Sequence, residues 1–398
     1  MSHRSGRGWG AVVLAAGLAL PAADAFALLG DRLELFAAET FTYDSNLLRI
    51  SKAANAFGTI GSSDLSDIYF TTSAGFNLNV PVGRQLFVGG YAINNVTYDR
   101  FSDLSYTGRE GRGIWFWQLG NSLSGQVGFT DVQAQATFVN FTARVKDKVT
   151  TQTGFANASY LFNPYWQIRA AVDGLHQEHG EVSRQEQDIN VTGTEGGLNF
   201  ISRRGNTLGL LLRSEDGRYP HRQVGVFDNA YTQKTAAIVL DWTITPASRV
   251  SGRLGHTKRE FDTLSQRDFS GGVGRVVYDW TPGGRFSLSA IAQRDISVYE
   301  DIRTSFVLVS GVALRPTYRI DDKLSLGGVA DISKRQYLGD PTGATRTDKV
   351  HTLGITATWL PTRNTSVIGS LTRETRSSSL QFSDYEAWII FLRGRISF

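Results

Sequence analysis

The chain has 398 residues, 41 Lys plus Arg against 37 Asp plus Glu, a formal charge of +4, and no cysteine. Without cysteine, neither disulfides nor thiolate metal sites can hold the fold. The cations are mostly Arg and are spread along the chain rather than gathered in a patch, which argues against a nucleic-acid partner.

Residues 1–25 read as a removed signal peptide. His3, Arg4 and Arg7 make a positive start, and Ala11–Leu20 is an apolar core too short to span as a helix. Cleavage is expected after Ala25, with Ala27 as the alternative. The competing reading is an uncleaved N-terminal anchor. Beyond this segment no apolar run approaches the roughly 18 residues of a helical span. Residues 26–398 are expected to form one domain.

Leu33–Tyr43 is the first strand candidate, followed by a polar loop to about Ser66. Next comes the clearest alternation: Ile68, Phe70, Thr72, Ala74, Phe76, Leu78 and Val80 against Asp67, Tyr69, Thr71, Ser73, Gly75, Asn77 and Asn79. Period two over this length fits a membrane strand. The unit then repeats. Short turns are expected at 81–84, 120–122, 163–165, 203–206, 245–248, 281–284, 321–323 and 361–364, each rich in Pro, Gly, Asn or Asp. Longer polar stretches lie at 44–66, 99–113, 131–148, 177–187, 216–230, 258–267, 295–304, 335–348 and 375–384.

Alternating short and long connections predict an all-β, antiparallel up-and-down transmembrane barrel of about 18 strands, with 16 to 20 allowed. The short turns would face the periplasm and the long loops the exterior. Aromatics beside the short turns (Phe162, Tyr165, Trp166, Trp242, Tyr278, Trp280, Phe286, Tyr318, Trp359) suit a lipid–water interface. A soluble β-sandwich is the alternative, and apolar outward strands such as Leu208, Leu210 and Leu212 argue against it.

The final strand places Trp388, Ile390, Leu392, Ile396 and Phe398 on one face and Arg393, Arg395 and Ser397 on the other. This segment resembles the C-terminal signal of bacterial outer-membrane proteins. The resemblance implies recognition by the barrel-assembly machinery, contact with outer-membrane lipid and a cell outer-membrane location.

The face opposite the apolar one carries Arg169, Arg213, Arg249, Arg253, Arg275, Arg285, Arg315, Arg319, Arg393 and Arg395. These are the candidate pore-lining residues. Acids expected on the same face are Asp67, Asp173, Glu215, Asp241, Asp279 and Asp331. A guanidinium-rich wall would concentrate anions; Arg–Asp pairs that brace the wall are an equally weighted reading. Gly75, Gly196, Gly271, Gly311 and Gly354 are expected to leave open width.

No catalytic constellation emerges, so no enzyme activity, cofactor or metal is expected. His176-Gln177-Glu178-His179 is one residue short of a zinc motif and reads as solvated loop. The few inward aromatics, Tyr69, Phe155, Phe269 and Phe391, form no evident track in the sequence.

Glu39–Ser51, containing Tyr43-Asp44-Ser45-Asn46-Leu47-Leu48-Arg49, resembles the opening of the EpsL-type outer-membrane proteins of exopolysaccharide-biosynthesis operons, which often accompany an exosortase. Trp117–Gly125 is similar to their second hairpin. Related barrel porins share the Tyr-Asp-x-Asn opening. The resemblance implies export of a polysaccharide, read as acidic from the Arg face, with periplasmic export components as further partners. The alternative is a diffusion porin for uptake of small solutes or sugars.

Overall fold

The alternating segments fold into eighteen strands, seen in a computed structural model that describes residues 32–139, 141–222, 230–297, 306–340 and 345–398. The signal-peptide segment lies outside the described residues. The strands are β1 (Leu33–Asp44), β2 (Asp67–Val82), β3 (Gln85–Tyr98), β4 (Tyr106–Leu119), β5 (Leu123–Gln135), β6 (Lys148–Asn163), β7 (Trp166–His179), β8 (Ile189–Ile201) and β9 (Thr207–Arg218). They continue with β10 (Ala230–Thr245), β11 (Ser248–Phe261), β12 (Phe269–Gly283), β13 (Phe286–Ser297), β14 (Phe306–Arg319), β15 (Leu324–Leu338), β16 (Arg346–Thr362), β17 (Thr365–Ser378) and β18 (Tyr385–Ser397). Each strand pairs with its sequence neighbours, and β1 pairs with β18, so the sheet closes on itself. Closure satisfies every ladder and leaves no edge, which the bilayer demands.

Two residues in the left-handed region explain the tightness of two short turns. Gly83 (φ 60°) and Gly120 (φ 61°) adopt a backbone that a Cβ would disfavour. All eight short turns fall where the sequence places them. The long loops are shorter than expected, because polar strand ends continue past the apolar band. Residues 106–113, expected in a loop, belong to β4, and residues 131–135 belong to β5. The longest connection, L1 (45–66), holds the short helix α1 (Ala56–Ile60).

The outer face is apolar at its middle. Leu210, Leu212, Leu353 and Ile355 are each 64–68 % exposed, which is tolerable only against lipid. Aromatic side chains mark the short-turn end, where Trp166 meets Phe200 edge-on at 5.4 Å and Trp280 meets Phe286 at 6.0 Å.

The seam between first and last strands uses the terminal residue. Phe398 N–H donates to Leu35 O at 2.8 Å, and Leu35 N–H to Phe398 O at 3.2 Å. Trp388, Ile390, Leu392, Ile396 and Phe398 all stay exposed on the outer face. Deleting Phe398 is expected to weaken the seam by roughly 2 kcal/mol, at about 1 kcal/mol per backbone bond. Urea unfolding of the barrel in lipid vesicles measures this; an unmoved midpoint would show the seam does not depend on it.

Candidate functional site: the lumen and its mouth

Register carries nine of the ten candidate arginines to the inward face. Arg169 and Arg213 lie on β7 and β9, Arg249 and Arg253 on β11, Arg275 on β12, Arg315 and Arg319 on β14, and Arg393 and Arg395 on β18. Arg285 differs. It sits in the turn between β12 and β13, at the short-turn rim rather than on the wall. The glycines also differ from expectation. Gly196 pairs with Ala170 and Leu212 on the outer face. A Cβ on Gly75 or Gly271 would run into the Phe36 or Phe269 ring, so neighbouring rings fill that width.

The inner wall is divided by charge. One sector, β7 to β9, is braced. Arg213 grips Asp173 with two bonds of 2.6 and 2.8 Å and reaches Glu215 at 3.0 Å and Glu195 at 3.9 Å. Arg169 reaches Glu195 at 3.6 Å. Arg249 binds Asp241 on β10, Arg253 lies 3.3 Å from Asp295, and Arg395 crosses the seam to Glu34 at 2.7 Å. In the other sector, no carboxylate among the described residues lies within ion-pair reach of Arg315, Arg319 or Arg393. Half of the predicted arginines therefore brace the wall, and at least three face the lumen with no direct ion pair among the described residues.

Three loops close part of the mouth. L3 (136–147) leaves β5 and runs inward, where Phe138 packs with Leu47 and Leu48 of L1 and with Phe101 and Leu104 of L2 (99–105). The Arg376 guanidinium on β17 donates to Val139 O, so L3 spans a chord between strands far apart in the ring. L4 (180–188) supports it: Arg184 stacks on Phe141 at 4.4 Å and lies 3.3 Å from Asp147. On the outside of the plug Arg144 pairs with Asp103 of L2, and that hydrogen bond holds the Asp103 carboxyl below its ordinary range.

The Asp-Ser-Asn opening of L1 has a structural role in this arrangement. Buried Asp44 accepts from Arg49 at 2.8 Å and from Asn46 N at 2.9 Å. The Asn46 amide clamps Ile50 through its N–H and C=O at 2.9 and 2.8 Å. Arg49, in the left-handed region at φ 56°, turns back over the Tyr385 ring. The motif thus fastens L1 against β18.

Between L3 and the wall lies a cavity of about 520 Å³. Its lining mixes aromatics (Phe36, Tyr69, Tyr98, Phe391) with Asn94, Glu110 and Arg393. Tyr69 and Phe391, scattered in the sequence, thus meet in one place. Phe269 instead meets Phe306 edge-on at 5.4 Å in a separate cluster.

Sequence reasoning missed several lumen and mouth residues. Arg112 and Glu110 fall in the stretch taken for a loop, yet lie inward on β4. At the mouth, guanidinium groups stack on tyrosines: Arg222 on Tyr219, Arg259 on Tyr231, Arg346 on Tyr337 and Arg376 on Tyr385, at 3.6 to 4.5 Å. Alternation alone could have found Arg259 and Arg376, since both keep the inward phase of their strands. His176 and His179 belong to β7 rather than to a loop. They face opposite ways, one toward Asn190 and the other toward Asp188, and share no ligand sphere. Among the described residues no cluster suits a metal.

Residues 243–398 match the family model described as "Putative beta-barrel porin 2". No curated protein matches the chain. Among solved structures the chain is similar to the outer membrane protein OpdK from Pseudomonas aeruginosa, with TM-score 0.51, 8% identity, and 92% and 98% of the two chains covered. OccK9 (OpdG) from Pseudomonas aeruginosa gives 0.51 and 9%, and a BenF-like porin from Pseudomonas fluorescens Pf-5 gives 0.50 and 7%, each with 92% and 98% covered. At such identities the likeness is one of fold. Closed strand topology, apolar exterior and these likenesses together make the chain a porin-like outer-membrane β-barrel.

Proposed function

We propose that the barrel is a passive outer-membrane channel for an anionic carbohydrate, with a secreted exopolysaccharide as cargo. The observation that carries this reading is the cationic inner sector. Among the described residues Arg315, Arg319 and Arg393 have no ion-paired carboxylate, and Arg393 borders a cavity lined by aromatic rings, hydroxyl and amide groups and Glu110. Rings stack on sugar faces, amides and hydroxyls exchange hydrogen bonds with sugar hydroxyls, and guanidinium groups attract uronate or phosphate charge. The family description of residues 243–398 as a porin supports a channel. The EpsL-like opening supports export, delivered by periplasmic components after signal-peptide removal and barrel assembly.

Planar-bilayer recordings test the cargo. An oligogalacturonate added to one side should block current more often than a maltooligosaccharide of equal length. Equal block by both would overturn the anionic reading.

A second reading, uptake of small solutes, is favoured by the L3 chord. A loop crossing the mouth shares the opening with a cavity of about 520 Å³, of a size for a short oligosaccharide. Removing residues 137–145 is expected to raise single-channel conductance about twofold or more, since a bore scales with its open section. If the intact barrel already passes long oligogalacturonates, export stands; if only the loop-deleted barrel does, uptake replaces it.

A further inference from the structure

The outer face of β13–β16 carries a row of cations where the apolar band ends, with no carboxylate in ion-pair reach among the described residues. Lys334 on β15 and Lys349 on β16 are direct cross-strand partners. Ser310 on β14 is the other neighbour of Lys334, and Arg294 on β13 is the other neighbour of Ser310. Arg294 donates to Ser310 Oγ at 3.2 Å and to Gly272 O at 3.0 Å, which holds its guanidinium flat on the outside of the sheet. His351 sits one outward position below Lys349. All four basic residues are exposed.

Like charges directly opposite each other on a sheet repel. Elsewhere on this rim several outward cations have a carboxylate within reach, including Lys258, which itself stands opposite Lys234 across β10–β11. On β4–β6, Arg109 binds Asp131 at 2.6 Å and Gln152 joins them. On β11, Lys258 binds Glu260 at 2.6 Å, and on β17, Arg373 reaches Glu386 of β18 at 2.9 Å. Among the described residues, no outward carboxylate occurs along β13–β16 and none lies within ion-pair reach of Lys334 or Lys349.

Height and surroundings say what neutralises them. Trp359, at the short-turn interface, shares the outward face of β16 with Lys349. The separation is about 33 Å along the strand at roughly 3.3 Å per residue. At barrel tilt this is about 25 Å of height, the thickness of the apolar band. The cations therefore stand at the opposite interface. Directly beneath them, Val312, Ile332, Leu353 and Ile355 are 54–65 % exposed. The row spans four strands, about 14 Å at ~4.8 Å spacing.

We propose that Arg294, Ser310, Lys334, Lys349 and His351 form a binding site for a membrane lipid with a phosphorylated headgroup. The phosphate would lie across the Lys334–Lys349 pair, accepting from both ammonium groups and from the Arg294 fork. Its acyl chains would run down over Val312, Ile332, Leu353 and Ile355. An anion free in solution would gain only the charge contacts; a lipid gains both. The site lies outside the barrel and is independent of what passes through it.

The test uses the full barrel in phosphatidylcholine vesicles with and without one-fifth lipid A, comparing wild type with K334Q/K349Q. Native mass spectrometry counts retained lipid, and the heat shift on gels reports barrel stability. Lipid A should be retained by the wild type and raise its unfolding temperature. The double variant should hold it about thirtyfold less tightly, at roughly a factor of five per basic residue near an anionic surface. K323Q, at a short turn on the far rim, should behave as wild type. Removing like charges does not threaten folding, so in plain phosphatidylcholine the double variant should be at least as stable. Equal retention by the double variant, or the same stabilisation from inorganic phosphate alone, would overturn the proposal.

Discussion

Replacing Arg315, Arg319 and Arg393 together by Gln is expected to cut the anion-to-cation permeability ratio roughly tenfold at low salt. The size follows from Coulomb's law: each unit charge acts on an ion about 10 Å away with ~0.4 kcal/mol in water. Losing three such charges raises the anion's energy and lowers the cation's, by about 1 kcal/mol each way before screening. At 1 M salt the Debye length shrinks to about 3 Å, and the difference should largely vanish. These three are chosen because they hold no carboxylate. Removing Arg395 instead would strand Glu34, bonded at 2.7 Å, and would confuse loss of a field with damage to the seam. Reversal potentials in a salt gradient give the ratio directly. A triple variant as anion-selective as the wild type would remove the electrostatic argument for an acidic cargo while leaving the barrel untouched.

The barrel itself was readable from the chain because lipid enforces a rule on every second residue. Ile68 to Val80, or Leu353 to Trp359, can be phased without knowing their neighbours. The turns were readable for a similar reason, since Pro81-Val82-Gly83-Arg84 carries its own backbone instructions. Strand ends were not, because above the bilayer no rule separates a polar strand from a polar loop. Tyr106–Gly113, with Arg112, therefore has the composition of a loop although it is the upper part of β4. Gly196, on the outer face beside Ala170 and Leu212, cannot be phased from the sequence because glycine carries no polarity. The pairing of lumen charges was hidden for a deeper reason. Arg213 meets Asp173 two strands away, and Arg395 meets Glu34 across the closure. Neither follows from spacing until the register of the closed ring is known. The path of L3 to Arg376, from β5 to β17, is a chord that periodicity cannot encode.

The braced sector supplies the largest expected stability effect. Arg213 is the one guanidinium within reach of Asp173, Glu195 and Glu215 together, and its side chain is only 13 % exposed. Arg213→Ala leaves three carboxylates facing one another, with Arg169 reaching only Glu195. Breaking a buried ion network by removing one partner costs about 3–5 kcal/mol, and the wet side of this wall places the effect near the lower end. The urea midpoint in vesicles should fall accordingly. Arg213→Lys should recover only part, because an ammonium cannot reproduce the two-pronged grip on Asp173. Arg213→Ala combined with Asp173→Asn should recover more than either change predicts alone, since it removes a charge from the stranded set. Simple additivity of the two would mean that the sector is held by its backbone ladder and that these charges are ornamental to stability. Coupling would mean that the wall opposite the cationic sector is fixed by its own ion network. The field across the lumen would then be built into the architecture rather than left to mobile side chains.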